Sequence, residues 1–279
     1  MPYTAQIRRD NPTCILVLVD QSGSMAAPFG AVSGKTKAQG VADAINRLLW
    51  QLVDPCVAEQ GYHDYYHIGV VGYGEEIGIG FPGDLAGEVS RPISQIGEKP
   101  LRMEKGTENV EDGAGDLVES VYEFPVWFEP VAAGKTPMCQ ALQIAHQVIV
   151  DFVSEHPHCF PPIVINISDG RATDGDPAPW ATALRRAASS DGNALLFNLH
   201  ISERGERPIL FPTSEAELPD EYARALFRMS SPLPPQMLRN AQIAEASVAE
   251  GARGFAFNAD LGSVIMFLDI GTKINTLQS

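Results

Sequence analysis

Oxygen-bearing side chains stand where apolar segments of this chain stop. The run over residues 14–19 ends abruptly at Asp20, and Ser22 and Ser24 follow at alternate positions. A second apolar run, 163–168, ends in Asp169, and Thr136 stands at the mouth of a helical pattern. Hard cations such as Mg²⁺ take oxygen ligands, usually only one or two of them carboxylates, and leave the rest of the shell to water or a partner's oxygen. In an open α/β sheet the ligand edge is the carboxyl end of the strands. If the strands over 14–19 and 163–168 are parallel neighbours, Asp20 and Asp169 emerge side by side, and the Thr136 loop can fold over them. Two carboxylates and three hydroxyls then make a hard-cation set with at least one open position.

The elements needed to position these residues are readable in outline. A continuous apolar run such as 14–19 is expected of a strand buried on both faces. Val41, Ile45, Leu48, Leu49 and Leu52 fall at helical spacing within 35–53, and Pro55 stops that helix. Strands are predicted at 67–74 and 76–81, so close together that they pair antiparallel, since a parallel crossover needs a dozen or more residues. The stretch 82–134 is rich in Gly, Pro and acidic residues, and so long a loop is either functional or holds structure that periodicity does not reveal. Thr136 is the expected N-cap of the next helix, with Pro137 at its first position. A strand at 163–168, a helix at 178–190 and a strand at 194–201 follow. An insertion at 202–235 carries a short helix near 220–229. A helix at 237–250, a strand at 254–258 and a helix at 261–274 close the chain. The simplest account is one domain over 1–279, with insertions at 82–134 and 202–235. Its fold class is doubly wound α/β: a mostly parallel central sheet, with one antiparallel edge strand, flanked by helices.

With these residues in place the chain resembles the von Willebrand factor A (VWA) family. The resemblance is carried by Asp20-Gln21-Ser22-Gly23-Ser24, by Gly134-Lys135-Thr136-Pro137-Met138 and by Ser168-Asp169-Gly170, and it covers roughly residues 13–274. It implies a metal-ion-dependent adhesion site made of Asp20, Ser22, Ser24, Thr136 and Asp169. The usual metal there is Mg²⁺, with Mn²⁺ and Ca²⁺ as alternatives, and its open position accepts an acidic oxygen from a partner protein. Lys135 departs from the family pattern, in which a small residue precedes the Thr, and is positioned to compete with or screen the metal. Within that family the chain looks similar to cytoplasmic bacterial VWA proteins, including those of the tellurite-resistance-operon type. They imply a signalling or stress-response role with a protein kinase, a PP2C-type phosphatase or an AAA ATPase as partner.

Other chemistries fit less well. Residues 30–36 approach a P-loop, but Phe29 stands where the first Gly belongs, and the segment begins about ten residues after its strand instead of directly. His63 and His67 have a zinc-like spacing only on a helix, whereas His67 leads into a strand. No G-x-S-x-G pattern surrounds Ser22 or Ser24. The expectation is therefore a non-enzymatic binding module, the alternative being a metal-dependent phosphoesterase. A formal charge of −15 over 279 residues opposes a phosphate-backbone grip on nucleic acid and an electrostatic hold on anionic lipid. The first ten residues have no apolar core of the signal-peptide kind, and Cys14, Cys56, Cys139 and Cys159 are scattered. Free buried thiols and a cytoplasmic location are expected.

Overall fold

The computed structural model describes residues 2–29, 34–111, 117–201, 208–245 and 247–272. In chain order the elements are β1 (Thr13–Asp20), α1 (Lys37–Val53), β2 (Tyr66–Tyr73), β3 (Ile77–Ile79), β4 (Ser90–Pro92) and α2 (Ile93–Glu98). Then come β5 (Arg102–Glu111), β6 (Leu117–Val126), α3 (Met138–Glu155), β7 (Ile163–Ser168) and α4 (Ala178–Leu184). The chain continues through β8 (Ala188–Ser189), β9 (Gly192–Asn193), β10 (Leu195–Ile201), β11 (Ile209–Leu210), α5 (Glu221–Met229), α6 (Pro235–Ala244), β12 (Phe255–Ala259) and α7 (Leu261–Thr272).

The central sheet runs β11-β12-β10-β7-β1-β2-β3, with β4 also on β2. The pairs β2/β1, β1/β7, β7/β10 and β10/β12 are parallel. Read along the chain, this is the doubly wound order, in which the winding reverses beside β1. The expected antiparallel strand is β3; two more short ones, β4 on β2 and β11 on β12, were not anticipated. All eight residues of β1 are buried, because layers cover both faces. Ile15, Val17 and Val19 face a core shared with α1, α6 and α7. Cys14, Leu16 and Leu18 face the other, shared with α3, α4 and α5. Each such side chain is worth about 1.5–3 kcal/mol of burial, so Asp20 extends from one of the best-anchored segments of the molecule.

Helix α1 starts where a capping box forms: Thr36 accepts from Gln39 N, and the Gln39 side chain accepts from Thr36 N at 2.9 Å. Helix α3 differs from expectation. Its first residue is Met138, Pro137 precedes it, and the Thr136 hydroxyl caps nothing. Asp174, from the loop after β7, accepts instead from Cys139 N at 3.1 Å and Gln140 N at 3.0 Å. Helix α4 is shorter than predicted because the chain turns into the β8–β9 hairpin. Helix α6 ends at Ala244, and residues 273–274 lie outside the described residues, as do 30–33 of the P-loop-like stretch. The stretch 82–134 holds unrecognised structure: β4, α2 and the β5–β6 hairpin. Asn46 of α1 clamps its return, accepting from Trp127 N and Phe128 N and donating to the Phe128 carbonyl.

All four cysteines are free and buried. Burial pushes the Cys56 and Cys139 thiols up to about 12 and the Cys159 thiol up to about 11, so they behave as apolar groups at neutral pH. Among the described residues no helix is long and apolar enough to cross a membrane.

Candidate functional site

The site lies where β1 and β7, hydrogen-bonded in parallel with Val19 opposite Ile167, deliver their carboxyl ends. This is the point at which the winding reverses, and the divergence of the two following connections leaves a crevice there. Three loops close on it. Gly23 N donates to the Gly134 carbonyl at 3.1 Å, and Ala133 N donates to the Gln21 carbonyl at 2.7 Å, tying the Thr136 loop to the Ser22 loop. Gly134 has φ +80, and a Cβ there would lie 2.3 Å from Glu75 Cα, so only glycine permits this approach. Thr136 N donates to Thr173 Oγ1 at 3.1 Å, and Thr173 N donates to the Thr136 carbonyl at 2.9 Å, which ties the same loop to the one after β7.

The five residues singled out by spacing are brought to one edge. Asp20 is fully buried; its Oδ1 accepts from Ser22 N and its Oδ2 from Ser168 Oγ, both at 2.9 Å. Ser22 Oγ and Ser24 Oγ are 3.0 Å apart, and Ser24 Oγ donates to Asp169 Oδ1 at 2.7 Å. Thr136 is buried, and its Oγ1 lies 3.8 Å from where a Cβ on Gly170 would be. Because Asp174 caps α3, the Thr136 hydroxyl is free of capping and faces the Asp169–Gly170 turn.

Four residues that the spacing did not reveal complete the arrangement. Lys37 Nζ donates to Asp169 Oδ2 at 2.8 Å, with side chains only 5% and 1% exposed. It is the first residue of α1, where the helix dipole disfavours a cation; a lysine straight after an N-cap Thr was the available sequence signal. Lys135, the cation expected to screen the site, is exposed. Ser168 steadies Asp20, and Tyr222 of α5 places its hydroxyl 3.3 Å from Ser168 Oγ. Asp174 acts indirectly, through Thr136. Helix α5, within the predicted insertion, thus reaches the site through Tyr222, which no local pattern announces.

Burial raises the Asp20 pKa above the usual carboxylate range, with the Ser22 and Ser168 hydrogen bonds opposing the shift and the Asp169 charge adding to it. Burial likewise raises the Tyr222 hydroxyl, which is therefore a neutral donor at physiological pH. Two buried carboxyl groups stand beside one ammonium; with both ionised, one negative charge has no cationic partner among the described residues. An isolated buried charge costs several kcal/mol.

No group of three or more His, Cys, Asp or Glu gathers in a metal-binding array among the described residues. The set at this edge is two carboxylates and three hydroxyls, all hard oxygen donors, and its uncompensated charge suits a divalent cation. Among the described residues the Lys37 ammonium opposes such an ion. The histidines form no comparable set: His67 lies against Phe152 and His156, while His63 packs on Tyr65. A groove of about 790 Å³ runs between α1 and the β5–β6 hairpin beside Trp50, Tyr122 and Phe124, and none of the five residues lines it.

No family model matches the chain, and no curated protein matches it. Among solved structures it is similar to the vWF domain of the type V pili tip protein Mfa5 from Porphyromonas gingivalis, at 14% identity and a TM-score of 0.32 over 58% of this chain and 39% of that one. A structure of three N-terminal domains of Mfa5 gives the same identity and TM-score, with 20% of that chain covered. The chain therefore spans well under half the length of either. The doubly wound α/β assignment rests on strand order and direction, independently of that likeness.

Proposed function

We propose that this chain is a non-enzymatic protein-interaction module that holds Mg²⁺ through Asp20, Ser22, Ser24, Thr136 and Asp169 and captures an acidic side chain of a partner protein on the ion. Its setting in this reading is a cytoplasmic bacterial signalling or stress-response system, with a kinase, a PP2C-type phosphatase or an AAA ATPase as partner. The observation that carries the reading is the pairing of two buried carboxylates and three hydroxyls at the sheet's carboxyl edge, with one negative charge left over. The ion would supply a positive centre that the hydroxyls neutralise little, so that it still attracts an outside carboxylate. The chain's own part is orientation: Ser22 N and Ser168 hold Asp20, the Thr173 and Gly134 contacts hold the Thr136 loop, and the buried strands keep water from weakening these bonds.

Mg²⁺ is expected to raise the melting temperature of the wild-type protein in a concentration-dependent way, since binding at 100 times Kd adds about 2.7 kcal/mol. Asp20→Ala should abolish that rise and the Mg²⁺-dependent capture of the partner. A Mg²⁺- or Mn²⁺-dependent turnover of a generic phosphoester, lost in Asp20→Ala, would replace the module by the phosphoesterase alternative. Capture unchanged by both Asp20→Ala and Asp169→Ala would leave a metal-free scaffold.

A further inference from the structure

The Lys37–Asp169 pair is not explained by the binding reading. The lysine is almost fully buried, it stands at the helix end where a cation is least favoured, and it holds an oxygen of a residue assigned to the ion. Its position has a simple charge consequence. With Asp20 and Asp169 ionised, the edge carries −1 when the ammonium is in place. A divalent ion added beside a retained ammonium makes it +1, with two cations sharing Asp169 at close range and little water to screen them. If the ammonium leaves as the ion enters, the edge is neutral. Lysine suits such an exchange, being a compact charge on a flexible four-carbon stem, whereas arginine's planar fork grips a carboxylate at two points.

We propose that Lys37 is the site's built-in cation: its ammonium holds Asp169 in the metal-free protein and is displaced when a divalent ion binds, so that Lys37 sets the affinity for the metal. This rests on the metal-dependent reading above. The ammonium keeps Asp169 and, through Ser24, the Ser22–Ser24 pair in a binding-ready arrangement without an ion. It thereby lowers the cost of burying Asp169, and it makes occupancy depend on the free divalent concentration instead of being permanent. The site is in this sense a switch with two cationic states, one internal and one external.

The test is a calorimetric titration with MnCl₂ of the full chain as wild type, Lys37→Gln, Lys37→Arg and Asp20→Ala, with melting temperatures recorded in EDTA and in Mn²⁺. Lys37→Gln should bind Mn²⁺ about tenfold or more tighter than wild type. It should also melt lower in EDTA and regain more of its stability on adding the ion. Lys37→Arg, which keeps the charge, should stay near or below wild-type affinity and guards against a Gln variant that folds poorly. Binding by Lys37→Gln alone, with none by wild type, would overturn the exchange, because the ammonium would then be a permanent occupant that no ion displaces. Equal affinities in wild type and Lys37→Gln, with binding lost in Asp20→Ala, would overturn it while leaving the metal-dependent reading intact. Affinity raised equally in the Gln and Arg variants would overturn it too, because charge would not be the cause. No binding by any variant would overturn both.

Discussion

At Asp20 the demands of folding and of binding pull apart. Its carboxylate is fully buried and accepts from Ser22 N and Ser168 Oγ, yet burial is the largest influence on it and raises its pKa. A carboxyl whose folded pKa exceeds its unfolded value of about 3.9 contributes stability below that value and loses it as pH rises through the folded pKa. Wherever the group is ionised, its charge is therefore a cost in the metal-free protein. Asn fits the same space: its amide oxygen can accept from Ser22 N, and its amide nitrogen can donate to Ser168 Oγ. That hydroxyl already lies 3.0 Å from the Gly170 carbonyl and can turn toward it. Asp20→Asn is expected to melt higher than wild type in EDTA at pH 7 and to show no Mg²⁺-dependent rise. A clear fall in melting temperature in EDTA would mean that the carboxylate is part of the fold's support instead.

Helix α3 shows how an element can be read correctly while its end is misassigned. Thr136 followed by Pro137 is a good start signal, and the helix does begin there, but the cap comes from Asp174, thirty-five positions away from Cys139 in sequence. No pattern confined to 136–139 could supply that partner. The two residues consequently have separable effects. Asp174→Ala removes the acceptor for two helix N–H groups and should cost about 0.5–2 kcal/mol in chemical denaturation. Thr136→Ala loses no cap bond and should cost less than Asp174→Ala, while abolishing the Mg²⁺-dependent rise in melting temperature. The reverse order of the two stabilities would show that Thr136 is the structural residue. At this scale β1, β2, β7, β10 and β12 were legible because runs buried on both faces are continuously apolar. The β5–β6 hairpin was not, because Glu104 and Lys105 interrupt its pattern and its support comes from Trp50, which stacks on Tyr122 and meets Phe124 edge-on.

Across the whole molecule the strands are also joined by polar contacts that apolar patterning hides. Tyr73 of β2 donates to Asn166 of β7, Asn166 to Asn198 of β10, and Asn198 to Ser230 after α5. This chain of bonds runs through the interior close to the site and couples α5, with Tyr222, to the strand that precedes Asp169. On β2 as well, His67 packs on Phe152 of α3 and on His156 just after that helix. Burial, and then the His156 charge, lower its pKa, with Asp64 and Glu155 opposing. The unfolded chain, with a His pKa near 6.5, takes up that proton first. The His67 contribution to stability should accordingly be full above about pH 6.5 and fall as the pH drops below it. His67→Phe should flatten the wild-type slope of stability against pH between roughly 7 and 5. A slope unchanged in that variant would place the sensitivity in other groups.

By itself the sequence determined the α/β class and the main strands, and it singled out Asp20, Ser22, Ser24, Thr136 and Asp169 as oxygen-bearing residues at the ends of apolar runs. Those features follow from periodicity and from residue types at strand ends, and both are local. Tertiary structure alone decided that Lys37, Ser168, Asp174 and Tyr222 belong to the same edge, and that it is Lys37 that pairs with Asp169. Their positions depend on which strand ends lie side by side and on how far a side chain reaches across the crevice between them, distances that exist only once the sheet is wound.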